Sequence, residues 1–217
     1  MHIMRNEKKS KKIIDLVEKL PIVRVENLGI SGIKKGYLRV ILSRKSKKGE
    51  LIRLKKGVYT SKKFVENSKS KGEYSDFLEF LASEIYAPSY LSLDYILYKN
   101  NILTEIPEIF TLMTKNKTAV FSNKFGNFFY HKIKDSLFLG FDVAKKNNFL
   151  IYRATKIKAL FDFLYLRKNL SGNKTAIKEL RLNLEDTREK EKKELLNYIK
   201  IEGSIAMKNI YLNFFEK

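Results

Sequence analysis

The chain of 217 residues sets 44 Lys/Arg against 24 Asp/Glu, a formal net charge of +20, and contains no cysteine. Disulfides and thiolate metal sites are therefore excluded, and with 44% hydrophobic and 12% aromatic residues a disordered chain is excluded as well. No apolar run reaches membrane-spanning length and the opening residues lack a signal-peptide core, so a cytoplasmic protein without a membrane partner is expected. The charge is uneven. Residues 1–72 hold 21 Lys/Arg and 6 Asp/Glu, whereas residues 73–217 hold 23 and 18. A polyanion partner is expected for the first segment.

In chain order, Ser10–Leu20 has Ile13, Ile14, Val17 and Leu20 at helical spacing and stops at Pro21. Val23–Gly29 reads as a short second helix closed by Gly29, and Ile30-Ser31-Gly32 as a connector. In Lys34–Lys48, Leu38, Ile41 and Leu42 form one face, while Lys35, Arg39, Ser43 and Lys47 recur four apart on another. Gly49 ends that helix. Leu51–Leu54 and Val58–Thr60 read as strands joined by the turn Lys55-Lys56-Gly57.

Three helices and a hairpin in this order predict a winged helix-turn-helix over residues 1–70. Lys35, Arg39, Ser43 and Lys47 would face base edges, and Arg53, Lys55 and Lys56 phosphates. Arg44, Lys45 and Lys48 would add phosphate contacts. A merely solvated basic helix is the alternative for this pattern alone; the charge of the whole first third favours duplex DNA.

Phe64–Gly72 is polar and without periodicity, which predicts a linker and a second domain over 71–217. There, Tyr74–Tyr86 is an amphipathic helix, Ala87-Pro88-Ser89 breaks it, and Ser92 caps a helix over Leu93–Lys99. Strands are expected at Ile109–Met113, Ala119–Ser122, Phe128–Ile133, Leu137–Phe141 and Phe149–Tyr152. Thr155–Arg167 returns to helical spacing, and Lys174–Lys217 is helical by composition, with Asp186–Glu194 a solvated face. The fold class expected is α/β (α+β), with antiparallel strands and terminal helices.

Chemistry is sparse. His2 and His131 are far apart, so zinc is not expected, and no cofactor is expected either. A metal-dependent nuclease would need clustered carboxylates; Glu105, Glu108, Asp135, Asp142 and Lys156 fall around the expected strands and could be drawn into one site, but nothing in the sequence fixes them near each other. Phe125, Phe128, Phe129, Tyr130, Phe138 and Phe141 could stack on single-stranded bases, but alternating strands place half of such residues in a core.

Three segments, in order, resemble the AbiEi family of type IV antitoxins. Leu51-Ile52-Arg53-Leu54-Lys55-Lys56-Gly57-Val58-Tyr59 looks like its wing, and Ala87-Pro88-Ser89-Tyr90-Leu91-Ser92-Leu93-Asp94-Tyr95-Ile96-Leu97 is similar to a second family segment. Lys156-Ile157-Lys158-Ala159-Leu160-Phe161-Asp162-Phe163-Leu164-Tyr165 resembles a third. The resemblance implies a non-enzymatic regulator whose first domain represses its own operon and whose second counters a nucleotidyltransferase-like toxin. A metal-dependent nuclease and a plain winged-helix transcription factor with a ligand-sensing domain are the alternatives.

Overall fold

A computed structural model describes residues 13–28 and 34–216. A first helix, α1, is described over residues 13–17, and Ile13 and Val17 point from it into a small core. Strand β1 (Val23–Arg24) follows, then α2 (Lys35–Lys47), β2 (Leu51–Lys55) and β3 (Val58–Ser61). The three strands form an antiparallel sheet in the order β1-β3-β2.

The helix expected over Val23–Gly29 opens instead as this strand and a turn, with Asn27 and Leu28 in a 3₁₀ turn; Gly29 and the Ile30-Ser31-Gly32 connector lie outside the described residues, as does the start of the first helix. The physical reason is pairing. Val23 and Arg24 face Tyr59 and Val58, and the Val25 N–H donates to the Gly57 carbonyl at 3.0 Å, so β-branched residues fill a third strand position. The fully buried Leu38 and Leu42 of α2 join Val23, Val25, Leu51 and Tyr59 in that core.

The stretch expected to be a linker is helix α3 (Lys62–Ser70). The Ser61 hydroxyl caps it by accepting from the Phe64 N–H at 2.9 Å, and Val65 anchors it to the larger core. A helix with so narrow an apolar stripe reads as loop in sequence. No polar tether separates the halves: Leu54, Val58 and Val65 all belong to the larger core.

That core surrounds a six-stranded mixed sheet in the order β6-β7-β5-β4-β9-β8. Its strands are β4 (Ser89–Leu91), β5 (Ile109–Thr114), β6 (Ala119–Asn123), β7 (Gly126–Lys132), β8 (Phe141–Lys146) and β9 (Phe149–Ala154). Helices α4 (Tyr74–Ile85), α5 (Leu93–Lys99), α6 (Lys156–Leu166), α7 (Lys174–Lys178), α8 (Glu189–Glu202) and α9 (Ile205–Phe215) complete the fold. Phe149 and Arg153 of β9 contact Phe77 and Glu79 of α4 on one face; Tyr90 of β4 bonds Asp162 of α6 on the other.

Two further expectations change. The segment Ala87-Pro88-Ser89 does not only break a helix; Ser89 opens β4, which pairs antiparallel with β5 and parallel with β9. Leu137–Phe141 is not a strand. Asp135–Leu137 is a 3₁₀ turn, and Gly140 adopts φ +75°, outside the extended range, before β8 starts at Phe141. A side chain at Gly140 would also come within 2.3 Å of the Tyr198 hydroxyl oxygen.

Candidate nucleic-acid interface

Helix α2 presses Leu38 and Leu42 onto the small sheet, which turns Arg39, Val40, Ser43, Arg44 and Lys47 outward beside the hairpin. The hairpin contributes Arg53, Lys56 and Gly57; Val25, Glu26 and Tyr59 complete a groove of about 670 Å³. Gly57 holds φ +77°, the left-handed conformation that lets the turn reverse in so few residues. Arg44, Lys45 and Lys47 sit in the last turn of α2, where cations complement the helix dipole. Glu26 is the single carboxylate among the described lining residues.

Six of the ten residues expected to contact DNA thus line one groove: Arg39, Ser43, Arg44, Lys47, Arg53 and Lys56. Lys35 is exposed at the start of α2 and Lys48 just beyond its end, both outside the groove lining. Lys45 pairs with Glu50 at 2.5 Å.

Lys55 is placed differently from the expectation that it faces phosphates. It pairs in register with Val58, whose side chain enters the larger core, so both point away from the groove. Its ammonium lies 5.2 Å from the Tyr86 ring centroid and 5.3 Å from that of Phe121. Burial, then the Arg24 charge, lower its pKa, with Glu26 acting in the opposite direction. Such a lysine glues the hairpin to the larger half.

Val40 and Tyr37 were not singled out by the pattern, yet they are 44% and 41% exposed on α2, and Val40 lines the groove. The available signal was phase: both fall out of step with Leu38 and Leu42. An apolar group at such a face can meet a thymine methyl.

In the larger half, side chains from the second and third resembling segments meet. Asp162 accepts from the Tyr90 hydroxyl at 3.0 Å, from Ser92 Oγ at 2.8 Å, and from the Lys158 ammonium one helical turn away. Lys158 and Asp162 have 0% side-chain exposure. The Lys158 Nζ also sits 4.8 Å from the Phe161 ring centroid and 5.6 Å from those of Tyr90 and Tyr198. Burial pushes Asp162 up and Lys158 down from their ordinary values, and their mutual attraction opposes both shifts. Ser92 had been expected to cap α5; its hydroxyl is committed to Asp162 instead.

The carboxylates considered for a nuclease do not converge: among the described residues no three of His, Cys, Asp and Glu stand together to hold a metal ion. Lys156 is engaged by Glu191 at 3.1 Å. Of the aromatics, Phe128 and Tyr130 are buried, and Phe125, Phe138 and Phe141 pack against the same core. Among the described residues no helix is long and apolar enough to cross a membrane. No family model matches the chain, and no curated protein matches it.

Proposed function

We propose that this chain is a duplex-DNA-binding transcriptional regulator of the type IV antitoxin kind, which represses its own operon and counters a nucleotidyltransferase-like toxin. The observation that carries the DNA half is the groove between α2 and the hairpin, where Arg39, Arg44, Lys47, Arg53 and Lys56 meet a single carboxylate. The succession of helix, strand, helix and hairpin, with the sheet order β1-β3-β2, supports reading the first half as a winged helix. In this reading Arg39 and Ser43 meet base edges while Arg53 and Lys56 hold phosphates.

The antitoxin half rests on the resemblance. It is supported by Tyr90, Ser92, Lys158 and Asp162 forming one bonded cluster from two of the three resembling segments.

The test of DNA binding is a salt series on the full chain with a labelled duplex from upstream of its own gene. Tight binding with a steep log–log salt dependence is expected. Binding no tighter than to unrelated duplex would remove the regulator reading. For the antitoxin half, co-expression with the neighbouring gene product should rescue growth; no rescue at normal protein level leaves a plain regulator.

A further inference from the structure

Between Glu108 and Asp135 the sequence runs for 26 residues with five lysines and no carboxylate. The fold collects this stretch at one edge of the large sheet. Lys115 and Lys117 lie between β5 and β6, Lys124 in the β6–β7 turn, Lys132 at the end of β7, and Lys134 just beyond it. All five are exposed, and among the described residues none pairs with a carboxylate.

They fall into two groups, one at each end of β6. Lys132 stands opposite Thr114 in the β5–β7 register, and its N–H donates to Thr118 Oγ1 at 3.1 Å. Lys115, Lys117, Lys132 and Lys134 therefore gather at one end of the edge strand β6. Lys124 marks the other end. There Asn123 Nδ2 donates to the Leu54 carbonyl at 3.3 Å, joining β6 to the strand that carries Arg53 into the groove. Exposed lysines thus flank both ends of β6, Lys124 beside β2 and the other four at the far end, with the five uncharged residues of β6 spanning about 16 Å between them.

We propose that this lysine edge is a second contact surface for the same duplex, gripping its phosphate backbone beyond the wing; the inference rests on the DNA-binding reading above. Charge and shape favour a duplex. About 16 Å corresponds to roughly five base pairs of a straight polyanionic rod. Lysines act as point charges on phosphates, whereas bidentate base reading falls to arginine. The edge would add affinity without sequence preference.

The experiment uses the full chain carrying Lys117→Gln, Lys124→Gln, Lys132→Gln and Lys134→Gln together. Labelled duplexes of about 30 base pairs, one from the upstream region and one scrambled, are titrated across a salt series. The log–log slope should flatten by about two to four units, near 0.9 for each phosphate released, and both duplexes should lose tenfold or more in affinity. Their affinity ratio should stay the same. Lys124→Gln alone should shift both in the same direction by less, and the four Lys→Arg changes should restore binding.

If the quadruple variant bound both duplexes with the wild-type slope, the lysine edge would not be a DNA surface, while the groove reading would stand. A wild-type chain with no salt-dependent duplex binding would overturn both readings. Loss of binding to vesicles containing anionic phospholipid, with duplex binding intact, would assign the edge to a membrane surface and overturn this inference alone.

Discussion

The Arg24 guanidinium donates to both the side-chain carboxylate of Glu84, at 3.0 Å, and the backbone carbonyl of the same residue. Arg24 belongs to β1, which is paired to the hairpin, and Glu84 lies in the last turn of α4. One guanidinium nitrogen therefore ties β1, beside the candidate groove, to the larger half. Lys55 over Tyr86 and Phe121, and Asn123 on the Leu54 carbonyl, strengthen the same seam.

This seam predicts one cooperative unfolding transition. Glu84→Ala should shift the whole transition by about 1 kcal/mol, since the pair is only partly buried and screened by solvent. Urea unfolding followed by far-ultraviolet circular dichroism and by tyrosine fluorescence checks it. Two separated transitions, one of them unmoved, would show that the halves fold independently. A fragment ending near residue 70 should be weaker still, because it exposes Leu54, Val58 and Val65.

The groove geometry separates three kinds of basic residue. Arg39→Ala should relax sequence preference and cost about 1–3 kcal/mol at the base it meets. Arg53→Ala with Lys56→Ala should weaken specific and scrambled duplex alike and flatten the salt slope. Lys55→Ala should leave the slope unchanged and lower the unfolding midpoint instead, because its ammonium is spent on two aromatic rings. A flattened slope for Lys55→Ala would place that side chain on phosphates after all.

Which parts were legible from sequence follows from how local their causes are. Helix α2 and its Gly49 stop were readable because Leu38 and Leu42 repeat at helical spacing and Gly49 takes φ +77°. Val23–Arg24 was misread because two residues hold no period; only pairing with Tyr59 and Val58 makes them a strand. The same holds for β4, three residues after a proline, whose identity comes from β5 and β9 on either side. Gly140 looked like part of a strand, although its left-handed backbone rules that out.

The candidate groove was largely legible, since residues four apart must share a helix face. Lys55 was not, because a register shift between Arg53 and Lys55 decides which way it points. The lysine edge along β6 was hidden by averaging: acidic residues elsewhere in 73–217 bring that segment close to charge balance, while none falls between Glu108 and Asp135.

At the start of α8, the Glu191 carboxylate accepts from the Arg188 backbone N–H at 2.8 Å and faces Lys156 at 3.1 Å. The Arg188 hydrogen bond is the main cause that holds its pKa below the usual carboxylate value; burial opposes it and Lys156 reinforces it. A carboxylate depressed in the folded state stabilises fully above its unfolded pKa of about 4.3, and loses that contribution as pH falls through the lower folded value. Glu191→Gln should therefore be less stable than wild type near pH 7, and the gap should close below about pH 4. Thermal melts of both proteins across that range measure it, and a gap that widened on acidification would reverse the sign.

Lys158 and Asp162 test what the buried cluster is for. Both are sealed from solvent, so neither can touch a partner protein directly. Removing one charge leaves the other without a counter-ion: Asp162→Leu strands an ammonium, and Lys158→Met leaves a carboxylate held only by Tyr90 and Ser92. Each change should cost about 3–5 kcal/mol. Lys158→Met combined with Asp162→Leu removes both charges and should cost well under the sum, with a coupling of about 0.5–3 kcal/mol. Urea unfolding of the four proteins closes the cycle, and additive losses would mean that the two charges do not sense each other. The cycle also bears on toxin control. If the cluster only holds β4 against α6, growth rescue should fall with stability in each single variant and recover in the double. Failed rescue by a stable double variant would give the charges a role beyond the fold.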